Sequence, residues 1–476
     1  MAQTDASPSS PSLARVLGVV LIAGVVVQAA FVAMAVRATG RVDGFALRSV
    51  DGQEFMCLAQ NLAQHGIFSQ DDKSPFHPDT WRCPGYPLLL AGCVRLLGNG
   101  TIGPILVQQG LAVLSVGLLV SIASRWMSTR RAGVVGALWL LDPYRGYYAL
   151  WILSVTWFVA LLLLAVWIWQ RGWKGTRSPW LAGALGAVVG LAVLTRPIGM
   201  VLVPVVVLGT LAGGGGTRHR LGRTLACLVG LSLLLGPWLI RNRLVAGRFA
   251  LSHQTGTVLT YYKAAEIVLW AEDRANERYD EDAVHDVWDR FDQRLRERWS
   301  AQHGPLTPEA RRDIAWPQVA WGRVRAVDPL LLDRQTLRVG LTVLAEHPVA
   351  TASCWLWRCG SILTFPLGLA IWPPDAADAL PFAGMLPNLS ITSRRGLAAL
   401  LAAPFVVLAI VAGCRAIVSI RSDRFAHVLA CALPLLALLL ATSPQLDPRF
   451  RVPMIPFLLL MAAIRGPRRL CRSKYL

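Results

Sequence analysis

The chain has 476 residues, of which 54% are hydrophobic and 16% are charged, and its formal net charge is +19. Soluble domains carry about 25% charged residues, so this composition excludes an ordinary soluble domain. It indicates an integral membrane protein.

Apolar stretches long enough to cross a bilayer recur along the chain, since a helix needs about 20 mostly apolar residues to do so. The predicted spans are 13–36, 102–124, 132–149, 150–170, 179–195, 197–212, 222–240, 397–418, 425–442 and 452–465. The first stretch is longer than the roughly 7–15 residue core of a secretory signal, so we predict a membrane anchor there. The predicted fold is therefore all-α, a polytopic membrane helix bundle of about ten spans with a helical region on its outer face.

Arginine and lysine are concentrated in every second linker. The linkers after the second, fourth and sixth spans contain Arg125, Arg171 and Arg218, and the chain ends in a basic tail. Short loops rich in these residues stay in the cytoplasm, so we predict these linkers and both termini inside. The positive charge is thus a topology signal and does not indicate a nucleic-acid-binding protein.

The other connections are then predicted on the outer face, beginning with a first outer loop at 37–101. In the polar stretch 241–346, Trp288, Phe291 and Leu295 recur at helical spacing, which indicates amphipathic helices. Residues 347–372 are apolar enough to span. A full crossing there would move the later basic linker outside, so we predict a helix that lies on or dips into the outer leaflet.

Three domains follow from this topology. They are an N-terminal transmembrane module at 1–240 that includes the first outer loop, an outer-face amphipathic helical region at 241–346, and a C-terminal interfacial helix and transmembrane module at 347–476.

Carboxylates and guanidinium groups are predicted to meet where helix ends reach the outer face. The polar residues placed there are Asp51, Glu54, Asp142, Tyr144, Arg145, Arg196, Arg241, Asn242, Asp447, Arg449 and Arg451. Arginine suits phosphate because its planar fork donates two charge-assisted hydrogen bonds at once. The set therefore predicts a site for an anionic lipid headgroup.

Each member also has a purely structural interpretation. Asp51-x-x-Glu54 fits a capping box with Asp51 as the N-cap. Arg196, Arg449 and Arg451 fit interfacial anchors whose charged heads reach the headgroups. Tyr86, between two prolines, fits an interfacial aromatic residue.

No cysteine or histidine spacing typical of a zinc or haem site occurs, so we expect no cofactor. A divalent metal is compatible with the sequence, but nothing in the sequence indicates one. Cys57 and Cys83 share the first outer loop and could pair if that compartment is oxidising.

The order and spacing of several motifs resemble membrane glycosyltransferases of the C type (GT-C), which use polyprenyl-phosphate sugars and include the protein O-mannosyltransferases and the lipid A aminoarabinose transferases. The resemblance covers nearly the whole chain. The motifs are Asp51-x-x-Glu54-Phe55, Ala59-Gln-Asn61-Leu62, Arg82-x-Pro84-Gly-Tyr86-Pro87, Gly190-Leu-Ala-Val-Leu-Thr-Arg196-Pro197, Pro237-Trp238-Leu-Ile-Arg241-Asn242 and Pro448-Arg449-Phe-Arg451-Val-Pro453.

This resemblance implies roles for individual residues. The Asp of the first outer loop looks like the catalytic base in such enzymes, and that position here is Asp51, with Glu54 as a supporting acid. A carboxylate is suited to this role because inverting transfer requires a base that removes the acceptor hydroxyl proton. The residues expected to bind substrate or the donor phosphate are Arg82, Tyr86, Arg196, Arg241, Arg449 and Arg451.

One position departs from the family pattern. The family often carries a Glu early in the fourth span, in a Ser-Glu-Thr context, whereas this chain has Ser154-Val155-Thr156. Asp142 is the preferred substitute for the missing acid, with Glu54 or another acid as alternatives. An inactive family member is an alternative that this position favours.

The predicted function is that of an inverting glycosyltransferase, multi-pass in the plasma membrane, with its active site on the extracytoplasmic face. It takes a sugar from a polyprenyl-monophosphate donor and gives it to an extracytoplasmic acceptor, which is a lipid, a cell-envelope glycan or a protein. A membrane transporter or lipid flippase is the other alternative, but such proteins usually place charged residues at mid-membrane. Here the charges cluster at helix ends.

Overall fold

A computed structural model describes residues 11–173, 178–212, 214–274, 281–320, 324–364, 407, 408, 410–414, 431–436, 438, 439, 449 and 452–463. The part of the chain covered by these ranges is built from helices and contains no strand, so the all-α prediction is confirmed. The predicted spans 397–418 and 425–442 lie largely outside the described residues, as does Arg451.

The helices of the N-terminal half are α1 (Leu13–Thr39), α2 (Val50–His65), α3 (Gly85–Leu97), α4 (Ile102–Ala123), α5 (Thr129–Leu140), α6 (Pro143–Tyr148), α7 (Val155–Trp173), α8 (Pro179–Thr195), α9 (Leu202–Ala212) and α10 (Thr217–Ala246). Three of them, α1, α4 and α10, are long and apolar enough to cross a membrane, and α3, α7, α8 and α9 are shorter apolar helices. This protein is a membrane protein.

The stretch predicted as two spans, 132–149 and 150–170, is interrupted. Helix α5 ends at Leu140, and the side chain of Asp142 accepts a hydrogen bond from the backbone of Tyr144 at 2.9 Å to begin the short helix α6. Pro143, in the first turn of α6, lacks the N–H that would continue α5. Helix α7 then begins at Val155, later than predicted.

Helices α8 and α10 pack with their backbones in direct contact. A Cβ atom at Gly186 would overlap the carbonyl group of Cys227, and one at Gly230 would overlap the carbonyl group of Gly183. Glycine is required at both positions because the helices approach too closely for a side chain.

The helical region after α10 is called the outer region below, after its predicted position. It contains α11 (Thr255–Thr257), a π-helical segment (Val258–Ala264), α12 (Ala265–Ala271), α13 (Glu281–His303), α14 (Pro308–Asp313), α15 (Trp316–Ala320) and α16 (Pro329–Glu346). The predicted amphipathic residues lie on α13, where Phe291 and Leu295 are buried in a separate core with Tyr261 and Val339. The apolar side chains are therefore packed against one another, and the region has its own hydrophobic core.

Helix α17 (Pro348–Thr364) covers the start of the stretch predicted to lie along the outer leaflet, and residues 365–372 lie outside the described residues. Arg358 on this helix is buried and pairs with Glu266 of α12 at 2.6 Å. The pair connects α17 to the outer region, because a buried guanidinium is stable only when a counter-charge compensates it. The helix Ile455–Ala463 is buried near the C-terminus of the chain.

Candidate active site

A cavity of about 490 Å³ lies between the start of α2, the end of α8 and the outer region. Asp51 and Phe55 of α2 form one wall, together with Arg82 from the segment that leads into α3. Arg196 at the end of α8, the π-helical segment and Arg449 close the other sides. The cavity therefore gathers residues that lie far apart in the sequence.

Asp51 lies at the centre of the charged residues in this cavity. Its Oδ1 accepts from Arg82 Nη2 at 2.5 Å, and its Oδ2 accepts from Arg449 Nη1 at 2.5 Å. Burial opposes ionisation of Asp51, but the two neighbouring guanidinium groups outweigh it and hold the pKa of this carboxyl far below its usual range. The side chain is a fully ionised carboxylate with both oxygens engaged.

The capping-box interpretation of Asp51 is wrong. Helix α2 begins at Val50, and its N-cap is Ser49, whose side chain accepts from the backbone N–H of Gly52 at 3.1 Å. Asp51 is the second residue of α2, and its carboxylate contacts Arg82 and Arg449. Because serine already caps the helix, the carboxylate of Asp51 is available for the cavity.

Glu54 lies one helical turn after Asp51 and fixes Arg82 from the other side. Arg82 Nε donates to Glu54 Oε2 at 2.7 Å, and Nη2 lies 2.5 Å from the same oxygen. Burial raises the pKa of Glu54 above its ordinary value, although the charge of Arg82 opposes this. Glu54 does not itself line the cavity, so its contact with the cavity is made through Arg82.

Hydrogen bonds and a close backbone contact fix the segment that carries Arg82. The backbone N–H of Arg82 donates to Asp79 Oδ1 at 2.9 Å. With its amide oxygen turned toward them, Gln254 accepts from Arg82 Nη1 at 3.3 Å and from Trp81 Nε1 at 3.0 Å. A Cβ atom on Gly85 would lie 2.8 Å from the carbonyl group of Leu194, so the close approach of this segment to the end of α8 requires glycine.

Arg196 reaches the cavity from the junction of α8 with the 3₁₀ turn Pro197–Val201. Its backbone is extended, and its N–H donates to the carbonyl oxygen of Ala192, so it closes the last turn of α8. The guanidinium lies 6.0 Å from the ring centre of Phe158. The sequence-predicted residues that the structure brings together on this cavity are Asp51, Arg82, Arg196 and Arg449.

Three other predicted site residues lie outside the cavity wall among the described residues. Tyr86 is fully buried, and its hydroxyl donates to Gln108 Oε1 at 2.6 Å. Asp142 is fully buried as the N-cap of α6. Arg241 donates to the backbone carbonyl oxygen of Asp79 and to Asn242 Oδ1, and it stacks 4.9 Å from the ring of Trp238.

The π-helical segment supplies cavity residues that sequence reasoning missed. Val258, Leu259, Tyr262 and Lys263 all line the cavity. Lys263 is buried, which lowers its pKa to about 8, and its Nζ lies 5.3 Å from the ring centre of Trp355. π-Helical turns are rare and occur frequently at functional sites, but the sequence carries no periodic signal for one.

The motif Ser154-Val155-Thr156, where this chain departs from the family pattern, lies directly beside the cavity. Ser154 lines the cavity wall, whereas the side chain of Val155 is fully buried in the hydrophobic core of the helix bundle. Cys57 and Cys83 are both free thiols. Within the described ranges, no group of three or more histidine, cysteine or acidic side chains is placed to hold a metal ion, and a metal-free site remains a prediction.

Residues 77–240 match the family model of the dolichyl-phosphate-mannose-protein mannosyltransferases. The predicted family resemblance is confirmed. This mannosyltransferase-like segment covers roughly a third of the chain and includes Arg82, Arg196, the helices from α3 to α9 and most of α10. The match supports the predicted resemblance to GT-C glycosyltransferases over this part of the chain, and it specifies neither a sugar nor an acceptor.

The chain is also similar to two crystal structures of ArnT from Cupriavidus metallidurans. With the form bound to undecaprenyl phosphate, the identity is 16% and the TM-score is 0.39, over 94% of this chain and 77% of that chain. With the apo form, the identity is 15% and the TM-score is 0.40, over 95% of this chain and 78% of that chain. No curated protein sequence matches the chain.

Proposed function

We propose that this protein is an inverting glycosyltransferase that uses a polyprenyl-monophosphate sugar and an acceptor on the extracytoplasmic face of the plasma membrane. The observation that supports this proposal best is the meeting of Asp51, Arg82 and Arg449 in a cavity that Arg196 also lines. A carboxylate and several guanidinium groups are the side chains that such a transfer requires.

The proposed step is a single displacement at the anomeric carbon. The acceptor hydroxyl oxygen forms a bond to that carbon, and its proton goes to a carboxylate oxygen of Asp51. The bond from the anomeric carbon to the phosphate oxygen breaks at the same time, and its electron pair leaves with the polyprenyl phosphate. Attack opposite to the leaving group inverts the anomeric configuration, as in an inverting glycosidase with water as the acceptor.

The arginines have two functions in this proposal. They bind the donor phosphate, and they stabilise the additional negative charge that the phosphate gains when the sugar leaves. Arg196 and Arg449 are the proposed phosphate ligands, and Arg82, which is fixed by Glu54, holds Asp51 in place. The step as written uses no metal ion.

Release of polyprenyl phosphate tests the function without knowledge of the acceptor. Purified protein in membranes that supply acceptors is incubated with a panel of polyprenyl-phosphate hexoses and pentoses. We expect one donor to release polyprenyl phosphate and Asp51→Asn to reduce that release by about 10²–10⁴-fold, because the base is lost. Asp286→Asn is a matched control, since Asp286 is an exposed acid of the outer region.

If Asp51→Asn is expressed normally and releases polyprenyl phosphate as the wild type does, Asp51 is not the base.

Val155 favours a second candidate, a family member that binds the lipid phosphate without turnover, since this buried valine replaces an acid that the family often carries. Binding of undecaprenyl phosphate with no release from any donor of the panel would support that second candidate.

A further inference from the structure

We propose that Tyr262 binds the sugar of the donor: its hydroxyl shares a hydrogen bond with a sugar hydroxyl, and its ring packs against the sugar. The inference rests on the proposed function and deepens it, because it assigns a residue that distinguishes a sugar-bearing polyprenyl phosphate from the bare lipid phosphate. Tyr262 belongs to the π-helical segment and lines the same cavity as Asp51 and Arg449.

Two adjacent tyrosines of the π-helical segment have different surroundings. Tyr261 is fully buried in the core of the outer region, and its hydroxyl donates to Asp292 Oδ1 at 2.5 Å. Tyr262 packs against the edge of that core, is only partly buried and lines the cavity. In the part of the chain that the structure describes, its hydroxyl makes no hydrogen bond to protein. Tyr261 is therefore a core residue, whereas the hydroxyl of Tyr262 is available to a ligand.

Trp288 of α13 holds the ring of Tyr262 in place. The Trp288 Nε1 donates to the backbone carbonyl oxygen of Tyr261 at 2.5 Å. The rings of Trp288 and Tyr262 meet in a T-shaped arrangement with 6.5 Å between their centres. A side chain that its neighbours already hold loses little conformational freedom when it binds a ligand. Tyr262 is thus preorganised for binding.

The hydroxyl of Tyr262 is influenced by both Asp51 and Arg449. Burial raises the pKa of Tyr262 above its ordinary value, and the carboxylate of Asp51 raises it further, whereas the guanidinium of Arg449 lowers it. In a single displacement the anomeric carbon lies between the acceptor oxygen, which the base contacts, and the departing phosphate oxygen. Because Asp51 is the proposed base and Arg449 a proposed phosphate ligand, the sugar must lie against this pair, and the Tyr262 hydroxyl is close to the same pair.

Tyrosine is chemically suited to bind a sugar. Its hydroxyl both donates and accepts hydrogen bonds, as sugar hydroxyls do, and its ring offers a flat apolar surface to the C–H groups of the sugar. In the proposed function the charged phosphate has charged ligands in Arg196 and Arg449. The uncharged hydroxyl of Tyr262 is therefore assigned to the sugar.

The experiment compares the binding of two lipids in detergent micelles by quenching of tryptophan fluorescence. One is undecaprenyl phosphate, and the other is the same lipid with whichever sugar of the donor panel the wild type binds most tightly. We expect Tyr262→Phe to weaken binding of the sugar-bearing lipid about tenfold, because one hydrogen bond is lost. Binding of the bare lipid phosphate and the melting temperature should be unchanged.

Tyr261→Phe is the matched control, since it removes the hydroxyl of the neighbouring tyrosine. It should lower the melting temperature, because the contact with buried Asp292 is lost. It should leave the preference between the two lipids as it is in the wild type.

A series of deoxy sugars on the same lipid identifies the hydroxyl that Tyr262 binds. The wild type should lose about tenfold in affinity for the analogue that lacks this hydroxyl. Tyr262→Phe should lose little with the same analogue, because its hydrogen bond is already absent, and the comparison is a double-mutant cycle. If Tyr262→Phe does not fold, the series on the wild type decides, since no loss with any analogue would show that no sugar hydroxyl is bound.

Two binding results would overturn the inference. An equal loss for both lipids in Tyr262→Phe would assign Tyr262 to the phosphate, and no loss for either would show that it does not bind the donor. Failure of the proposed function gives a different result. If no donor of the panel releases polyprenyl phosphate but the preference for the sugar-bearing lipid depends on Tyr262, the proposed transfer fails and the sugar site stands. If release occurs and the preference does not depend on Tyr262, only this inference fails.

Discussion

At the residue scale, Asp142 is a buried acid that the sequence predicts to be catalytic, whereas its observed contact is with the backbone at the start of a helix. The sequence predicts it as a substitute for the acid that Val155 replaces. In the structure its carboxylate accepts from the backbone of Tyr144 at 2.9 Å and begins α6, and the residue is fully buried outside the cavity wall. These contacts favour a role in helix capping.

Substitution of Asp142 should therefore lower the free energy of unfolding and should affect the release of polyprenyl phosphate less. We expect Asp142→Ala to lose about 1 kcal/mol of unfolding free energy, because an N-cap is lost, and Asp142→Asn to lose less, because an amide oxygen caps equally well. Thermal unfolding in detergent and release of polyprenyl phosphate would be measured together. A loss of release in Asp142→Asn at unchanged melting temperature would instead support the catalytic prediction.

At the scale of elements, the loop before α11 is attached to the first outer loop by His253. The Thr80 hydroxyl and His253 Nδ1 share a hydrogen bond of 2.9 Å, and the ring centre of Trp81 lies 5.1 Å from that of the imidazole. These contacts lie directly beside Arg82 and Gln254. The attachment thereby connects the outer region to the segment that carries a cavity arginine.

This attachment should weaken in acid. Burial lowers the pKa of His253 to about 4, whereas the unfolded chain binds the proton near the ordinary value of about 6.5. The stabilisation is therefore complete above about pH 6.5 and is lost as the pH falls toward about 4. Between about pH 7 and about pH 5 the loss is on the order of 2 kcal/mol.

Thermal unfolding of the wild type and of His253→Gln at these two pH values measures the effect. Glutamine keeps a hydrogen-bonding group toward Thr80 but does not titrate, so the variant should lose less stability in acid than the wild type. Other titrating groups contribute equally to both proteins and cancel in the difference. An identical loss in the two proteins would show that protonation of His253 does not weaken the fold.

The elements also show which features of the fold are readable from sequence. Hydropathy alone predicts α1, α4 and α8 closely, because a long apolar run has one stable conformation in a bilayer. The boundary predicted between the spans 132–149 and 150–170 lies close to the break at Asp142-Pro143, but α5 ends and α7 begins several residues from the predicted ends, because apolar residues continue on both sides of the break. The π-helical segment was missed because its hydrogen-bond pattern depends on packing and leaves no periodic signal.

The candidate site was predictable only in part. Motif order placed Asp51, Arg82, Arg196 and Arg449 on one face, and the structure brings these four to one cavity. Their pairing was not predictable, since Asp51 and Arg449 are separated by 398 positions. Lys263 gave no signal in the sequence, because it follows two tyrosines in a region that otherwise resembles a soluble helical segment.

At the scale of the whole molecule, the proposed function depends on which side of the membrane the cavity faces. The basic linkers predict that the residues around Arg130 are cytoplasmic and that the outer region is extracytoplasmic. Fusions to green fluorescent protein and to alkaline phosphatase, placed after Arg131 and after Gly304, test this. We expect fluorescence only from the first position and phosphatase activity only from the second.

The reverse pattern would place Asp51 in the cytoplasm and would contradict transfer to an external acceptor. A fusion after Ala212, at the end of α9, is a useful control, because it lies before the basic linker at 214–223 and should behave as the first position does.

The glycine contacts between α8 and α10 have a consequence for how this protein tolerates variation. Arg196 lies at the end of α8, and the spacing of α8 from α10 is set at Gly186 and Gly230, neither of which lines the cavity. Even a methyl group at either position must push the two helices apart and tilt the end that holds Arg196. Natural variation at these two buried glycines should therefore be as restricted as at the arginines themselves, although neither glycine touches a substrate.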